Sequence, residues 1–314
     1  MNDSVALRTQ IAPRHPTGLL LGNPVMTASG TFGYGTEYEE LVDIQKLGAV
    51  VCKGITLLSR KGNPQPRIVE TSSGLLNSIG LENIGVDALI AEKAPIWSGW
   101  QVPVIVNVAG ETLDDYVSVV DKLEGVSGIS GIELNVSCPN ISAGAIEFGT
   151  NAGLVTELVA EVKAASSLPI IVKLSPNVTD IREIALAVES AGADAVSLIN
   201  TVRGMSIDID RRRPRLGYVN GGLSGPAVKP IAVYMVYQVA KVVHIPLVGC
   251  GGISSSADAL EFIMAGASAV EVGTANLADP RAPLDILQGI EDFVRKEQID
   301  DISCLIGIAH RGLQ

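Results

Sequence analysis

The chain has 314 residues, of which 47% are hydrophobic, with a mean hydropathy of +0.34 and a formal net charge of −11. No apolar run approaches the ~18 residues that a membrane-crossing helix needs, and so acidic a chain is poorly suited to phosphate backbones, which require a basic face. Four cysteines without a CxxC pair offer no cage for zinc or an iron-sulfur cluster and fit a reducing compartment, while Met1-Asn2-Asp3-Ser4 has neither a basic n-region nor an apolar h-region, so a soluble, cytoplasmic protein whose mature chain starts there is expected.

In chain order, Ser4 to Leu21 carries two short apolar pieces around Pro13 and Pro16, and residues 1–22 are expected to form an N-terminal hairpin closing the bottom of the fold. Eight short runs rich in β-branched residues follow: Val25 to Ser29, Ala49 to Lys53, Val104 to Val108, Gly131 to Val136, Ile170 to Leu174, Ala195 to Ile199, Leu247 to Gly251 and Ala269 to Gly273. Near-continuous apolar runs of this kind predict parallel strands buried on both faces. Between them, Val155, Leu158, Val159 and Val162 keep the i, i+3, i+4, i+7 spacing of a helix with one apolar stripe, as do Ile181, Ile184, Ala185 and Val188. The second stripe stops at Ala191-Gly192-Ala193, and the device recurs at Ala265-Gly266-Ala267, each time just before a strand, as in a repeated β/α unit.

Eight such units predict a closed (β/α)8 TIM barrel, with residues 1–314 forming one domain. A doubly wound open sheet is the alternative, but no GxGxxG fingerprint follows any strand. Two connections, Gly54 to Pro103 and Thr201 to Pro246, are too long for plain turns and are expected to carry function on the C-terminal face.

A barrel's site lies at the C-terminal ends of its strands. There the sequence places Ser29, Lys53, Asn107, Asn135, Lys173 and Asn200-Thr201. Any one of these alone is equally well read as a solvated strand end; six together are harder to dismiss. The last two strands end in Gly251-Gly252 and Gly273-Thr274, where missing side chains let backbone N–H groups approach a phosphate. A phosphate site without a dinucleotide fingerprint favours a mononucleotide such as FMN. Lys53 would set positive charge beside its ring, and Lys173 would do the same or bind the ribityl oxygens. His15, His244 and His310 are not placed for acid/base work, and no HExxH or tight Asp/Glu/His cluster indicates a metal; carboxylates scattered on helices are read as solvated faces. The run Glu-Leu-Asn-Val-Ser-Cys-Pro-Asn over 133–140 puts Cys138 on a loop just past a strand, between the amides of Asn135 and Asn140. Cys52, Cys250 and Cys304 are instead read as small buried hydrophobes.

These motifs together resemble class 1 dihydroorotate dehydrogenases, and most closely the class 1B catalytic subunit. The matching segments are Ala28-Ser29-Gly30-Thr31-Phe32-Gly33-Tyr34-Gly35, Gly62-Asn63-Pro64-Gln65-Pro66-Arg67, Asn77-Ser78-Ile79-Gly80-Leu81, Asn135 to Asn140 and Gly221-Gly222-Leu223-Ser224-Gly225-Pro226, so that the likeness spans residues 28–274. The cysteine motif and the Asn-x-x-Gly-Leu loop are fairly specific, whereas the glycine pairs are shared with many FMN barrels. Ser72-Ser73, where a proline is often found, and Glu82, where glutamine is common, depart from the pattern.

The resemblance implies an FMN enzyme that oxidises dihydroorotate to orotate in pyrimidine synthesis, with Cys138 taking the C5 proton while hydride passes from C6 to flavin N5. It implies that Lys53, Asn77, Ser78, Ile79, Gly80, Leu81, Asn135, Asn200 and Thr201, with Asn140 as a further candidate, bind the substrate. FMN would be held by Ser29, Lys53, Gly54, Asn107, Asn135, Lys173, Ile199, Gly225, Gly251, Gly252, Gly273 and Thr274. Class 1B further implies a homodimer paired with a subunit carrying FAD and a 2Fe-2S cluster, through which electrons reach NAD. A class 1A-like homodimer using fumarate is the rival. A tRNA dihydrouridine synthase, disfavoured by the acidic charge, and a non-catalytic phosphate-binding barrel are the readings outside this class.

Overall fold

The computed structural model describes residues 6–137 and 148–311. Eight parallel strands close into a barrel: β1 (Val25–Thr27), β2 (Ala49–Val51), β3 (Val104–Val108), β4 (Gly131–Asn135), β5 (Ile170–Lys173), β6 (Ala195–Leu198), β7 (Leu247–Cys250) and β8 (Ala269–Val272). Each pairs with its neighbours in sequence, and β8 pairs with β1 to complete the ring. The strands are the eight runs predicted, most of them shorter by one or two residues at the C-terminal end.

Alternation along the strands divides each into two faces. Val104, Val106 and Val108, Ile132 and Leu134, Val196 and Leu198, and Val270 and Val272 face outward and join one large apolar cluster with the surrounding helices. These helices are α1 (Val86–Glu92), α2 (Leu113–Leu123), α3 (Ala152–Ala165), α4 (Ile181–Ser190), α5 (Lys229–Val239), α6 (Ser256–Ala265) and α7 (Ala282–Lys296). The stripes read from the sequence are the buried faces of α3 and α4. Helix starts are fixed by side-chain caps: Thr112 and Asp115 form a reciprocal capping box on α2, and Asn151, Asp180 and Ser255 cap α3, α4 and α6. The β1–β2 crossover contains no α-helix, only the 3-10 turn Ile44–Lys46. Among the described residues no helix is long and apolar enough to cross a membrane.

The inward face is layered. Its lower layer is apolar: Met26, Ala49, Val51, Ile105, Ile171, Ala195, Val248 and Ala269 pack with Ile11, Ala12, Leu19 and Leu21. Those last four belong to an antiparallel hairpin, Thr9–Gln10 against Leu20–Leu21, whose loop is held by Gln10 Oε1 accepting from the N–H groups of Ala12 and Leu19. The hairpin plugs the bottom of the barrel, as the N-terminal apolar pieces predicted.

Two residues further along, the inward positions of every strand but the first turn polar: Lys53, Asn107, Glu133, Lys173, Ser197, Cys250 and Glu271. Above them the two long connections meet in a four-stranded antiparallel sheet, in the order Val202–Gly204, Gly221–Ser224, Gly74–Asn77, Ile68–Thr71. That sheet roofs part of the barrel mouth.

Candidate active site

Between the roof and the strand ends lies a cleft of about 310 Å³. From the barrel it is lined by Ser29, Lys53, Gly54, Asn107, Asn135, Lys173, Ile199, Asn200, Thr201, Gly251, Gly252, Gly273 and Thr274, and from the roof and its loop by Asn77, Ile79, Gly80 and Leu81. The structure thus brings together most of the site residues singled out in the sequence. Two stand behind the lining. Ser78 is fully buried, with an Oγ that has no partner among the described residues. Gly225 backs Gly252, since a Cβ on Gly252 would come within 2.8 Å of the Gly225 carbonyl oxygen. Cys138 and Asn140 lie outside the described residues; Ser137, next to Cys138 in the chain, lines the cleft.

The amides are held in set orientations. Asn200 Nδ2 donates to Asn135 Oδ1 at 3.1 Å, and Asn200 Oδ1 accepts from the Thr201 N–H at 2.8 Å. Asn135 Oδ1 also accepts from the Ser137 N–H, and its backbone carbonyl accepts from the Tyr116 hydroxyl at 2.7 Å. Asn107 Nδ2 donates to Glu133 Oε1 at 2.6 Å, while its Oδ1 is buried without a donor among the described residues. A buried acceptor without a partner is costly unless a ligand supplies the hydrogen.

Lys53 also faces the cleft, and no described residue forms an ion pair or hydrogen bond with its ammonium group. At the opposite wall, Gly251 and Gly252 take φ of +126° and +76°, a conformation open to glycine and strained for other residues. Thr274 follows β8 and leads into the short helix Ala275–Ala278; its Oγ1 donates to Ser224 Oγ at 2.7 Å, tying the barrel rim to the roof. The loop carrying Asn77 to Leu81 is braced from below by Arg67, which donates to the carbonyls of Asn63 and Lys61 and pairs with Glu82 at 2.7 Å. Glu82, a departure from the sequence pattern, therefore serves as the arginine's counter-ion.

Beneath the cleft floor sits a polar layer that the sequence reading passed over. Glu133 on β4 and Glu271 on β8 point inward and are almost fully buried, with Lys173 between them, 3.6 Å from Glu133 and in closer contact with Glu271. Burial works against the charge of Lys173, yet the carboxyl groups of Glu133 and Glu271 outweigh it and hold the lysine well above its ordinary value. Lys173 thus arrives at the cleft already paired with acid. The signal was present: a charge at an inward register position of an otherwise apolar strand is expensive unless it is paired.

The other cysteines divide. Cys52 and Cys250 are buried, and burial pushes both thiols up to about 12, so they stay protonated. Cys250 also lines the cleft and lies 3.6 Å from Lys173 Nζ, so it is more than core filling. Cys304 is exposed, against expectation, because in its single 3-10 turn Ile302 and Leu305 take the two inward positions.

The dihydroorotate dehydrogenase family profile matches residues 14–294. A protein of Geotalea daltonii is 52% identical over 93% of this chain and 95% of its own length. One of Desulforudis audaxviator is 54% identical over 94% and 96%, and one of Alkaliphilus oremlandii 54% over 93% and 97%. All three are named dihydroorotate dehydrogenase B (NAD(+)), catalytic subunit. The chain belongs to the dihydroorotate dehydrogenase family. Its fold is also that of the Eimeria tenella dihydroorotate dehydrogenase solved with ferulenol, at a TM-score of 0.82 and 21% identity, covering 99% of this chain and 90% of that one. In a dihydroorotate dehydrogenase of this shape, the cleft above the polar floor is the candidate site.

Proposed function

We propose that this chain oxidises dihydroorotate to orotate with FMN bound in the cleft, as the catalytic subunit of an NAD-linked, class 1B enzyme. The observation that carries this reading is the convergence, on one cleft of a dihydroorotate dehydrogenase barrel, of a glycine-lined cradle with a lysine and a buried acceptor that have no partner among the described residues. The residues fit FMN. Asn107 Oδ1 awaits an N–H such as a flavin ring presents, and the backbone N–H groups of Gly252 and Thr274, which donate to no described residue, suit a phosphate. Ser29, Gly54, Asn135, Lys173, Ile199, Gly225, Gly251 and Gly273 complete the proposed cofactor set.

Bound FMN would supply the acceptor for the hydrogen and electron pair that leave C6. The chain's own residues do the rest. Cys138 Sγ takes the C5 proton. Lys53 neutralises the substrate carboxylate, and Asn77 and Asn200, with donors and acceptors, and Asn135, through its Nδ2 donor, read the amide edges of the pyrimidine together with Ser78 to Leu81 and Thr201.

Relatives named as catalytic subunits imply a further subunit. We assign to it FAD and a 2Fe-2S cluster, and to this chain a homodimeric core in the cytoplasm. Exposed Met205, Ile207 and Ile209, on the arm that leaves the cleft after Thr201, are apolar surface that supports an interface there.

The test is anaerobic addition of dihydroorotate to purified protein. Bleaching of flavin absorbance is expected, with reoxidation by NAD only when the second subunit is present. Absence of flavin bands, or rapid reoxidation of the lone chain by fumarate, would overturn the cofactor or the class 1B assignment respectively.

A further inference from the structure

The floor of the cleft holds more acid than its lysine neutralises. Glu133 and Glu271 are 0% and 1% exposed and Lys173 is 3% exposed, so with both carboxyls ionised the layer would carry a net negative charge out of reach of water.

The two carboxyls are served unequally. Glu133 accepts from Asn107 Nδ2 on Oε1 at 2.6 Å and from Ser197 Oγ on Oε2 at 2.7 Å, besides its contact with Lys173. Glu271 meets Lys173 through Oε2, and its buried Oε1 has no partner among the described residues. The two carboxyl groups meet at the same Lys173 ammonium, which sets them side by side in the buried layer. A proton on Glu271, shared with Glu133, would supply the missing hydrogen bond and remove the excess charge in one step.

The surrounding strands offer no other way to balance it. Cys250 from β7 is a buried thiol that stays neutral, β3 and β6 contribute neutral Asn107 and Ser197, β1 and β2 contribute apolar Met26 and Val51, and Cys52, just past β2 in the outer apolar cluster, is a neutral thiol as well. Lys53, from the end of β2, lines the cleft above.

We propose that Glu271 is a positioning residue that keeps a proton at neutral pH, so that the floor under the cofactor is neutral, and that its loss in alkali puts a negative charge there and loosens FMN. The inference rests on the reading that this cleft holds FMN. Burial, reinforced by the Glu133 carboxylate, pushes Glu271 up to about 8. For Glu133, burial acts in the same direction but is outweighed by Lys173 and its hydrogen bonds, which hold it below the usual carboxylate range. The floor is therefore neutral below about pH 8 and negative above it.

The holoenzyme and its E271Q and E133Q variants separate the two carboxyls. FMN dissociation is followed by recovery of free-flavin fluorescence across neutral and alkaline pH, and the infrared band of a protonated carboxyl is recorded over the same range. The wild-type dissociation constant is expected to rise by about tenfold through the alkaline step, as one added charge near the ligand requires. E271Q, whose amide imitates the protonated acid, is expected to match wild type at neutral pH, to lose the alkaline step, and to lack the carboxyl band. E133Q is expected to bind FMN more weakly even at neutral pH, because it removes the carboxylate that pairs with Lys173.

The idea is overturned if E271Q loosens FMN equally at neutral and alkaline pH, or if wild type shows no carboxyl band that disappears in alkali. That band is read on wild type and depends on neither variant folding. Protein purified without flavin bands would overturn the cofactor assignment instead, and the infrared step still judges the carboxyl pair.

Discussion

Cys138 and Lys53 divide the proposed chemistry between a base and a fixed charge, and a substitution at each tests its own part. A free cysteine's ordinary pKa of ~8.5 leaves thiolate a minority at neutral pH, so turnover is expected to rise toward alkaline pH. Cys138→Ala should keep its FMN absorbance and lose on the order of 10²–10⁴ in the rate of flavin bleaching by dihydroorotate, the usual worth of a general base. Wild-type bleaching in stopped flow would remove the thiol from the mechanism. Lys53→Ala takes away a charged hydrogen-bond donor, worth about 1.5–3 kcal/mol or roughly 10–100-fold in orotate affinity. A spectral titration with orotate measures that loss, and unchanged affinity would mean that the substrate carboxylate sits elsewhere. Lys53, Asn135 and Asn200 were legible in the sequence because each stands where an apolar run ends in a polar side chain, and Asn107 because it lies one residue from such an end. Glu133 and Glu271 were not, because each is embedded within such a run and its inward direction is known only once the register of the barrel is fixed.

The turns after β7 and β8 show how secondary elements build a binding wall from backbone alone. Gly252 sits at φ +76°, and a Cβ there would come within 2.8 Å of the Gly225 carbonyl oxygen and of the Lys229 backbone nitrogen. Gly252→Ala therefore meets both a disfavoured conformation, costing about 1–3 kcal/mol, and a clash that pushes two walls of the cradle apart. The variant is expected to fold with lower stability and to release FMN, read as free-flavin fluorescence on dilution; retained flavin at wild-type affinity would show that the phosphate does not rest on this turn. The eight strands were legible because parallel strands buried on both faces are continuous apolar runs. The roof was legible only as two long connections. Its strands pair residues as distant as Asn77 and Gly222, run for only three or four residues, and show no clean alternation that would announce a sheet. In the same way, the missing helix of the β1–β2 crossover leaves no mark in a stretch whose apolar residues are too few to exclude one.

Taken as a whole, the molecule is a ring whose closure between β8 and β1 is made by short strands, with all eight strands sending residues to one cleft. A ligand gripping Ser29 after β1, Asn107 on β3, Lys173 on β5 and Thr274 after β8 would span the ring and bind only the folded state. Mass action then sets the stabilisation: FMN at a hundredfold excess over its dissociation constant contributes about 2.7 kcal/mol. For a chain of this size, a change of that order raises the unfolding midpoint by roughly 4 °C. Removing the flavin should thus lower Tm by several degrees, and adding it back should raise Tm in proportion to the logarithm of its concentration. Inorganic phosphate alone, reaching only the glycine turns, should restore a smaller part. A Tm indifferent to FMN would mean that the cofactor, if bound at all, does not bridge the strand ends. A response to phosphate as large as that to FMN would place the binding energy in the cradle and leave Asn107 and Lys173 without a share in holding the ring.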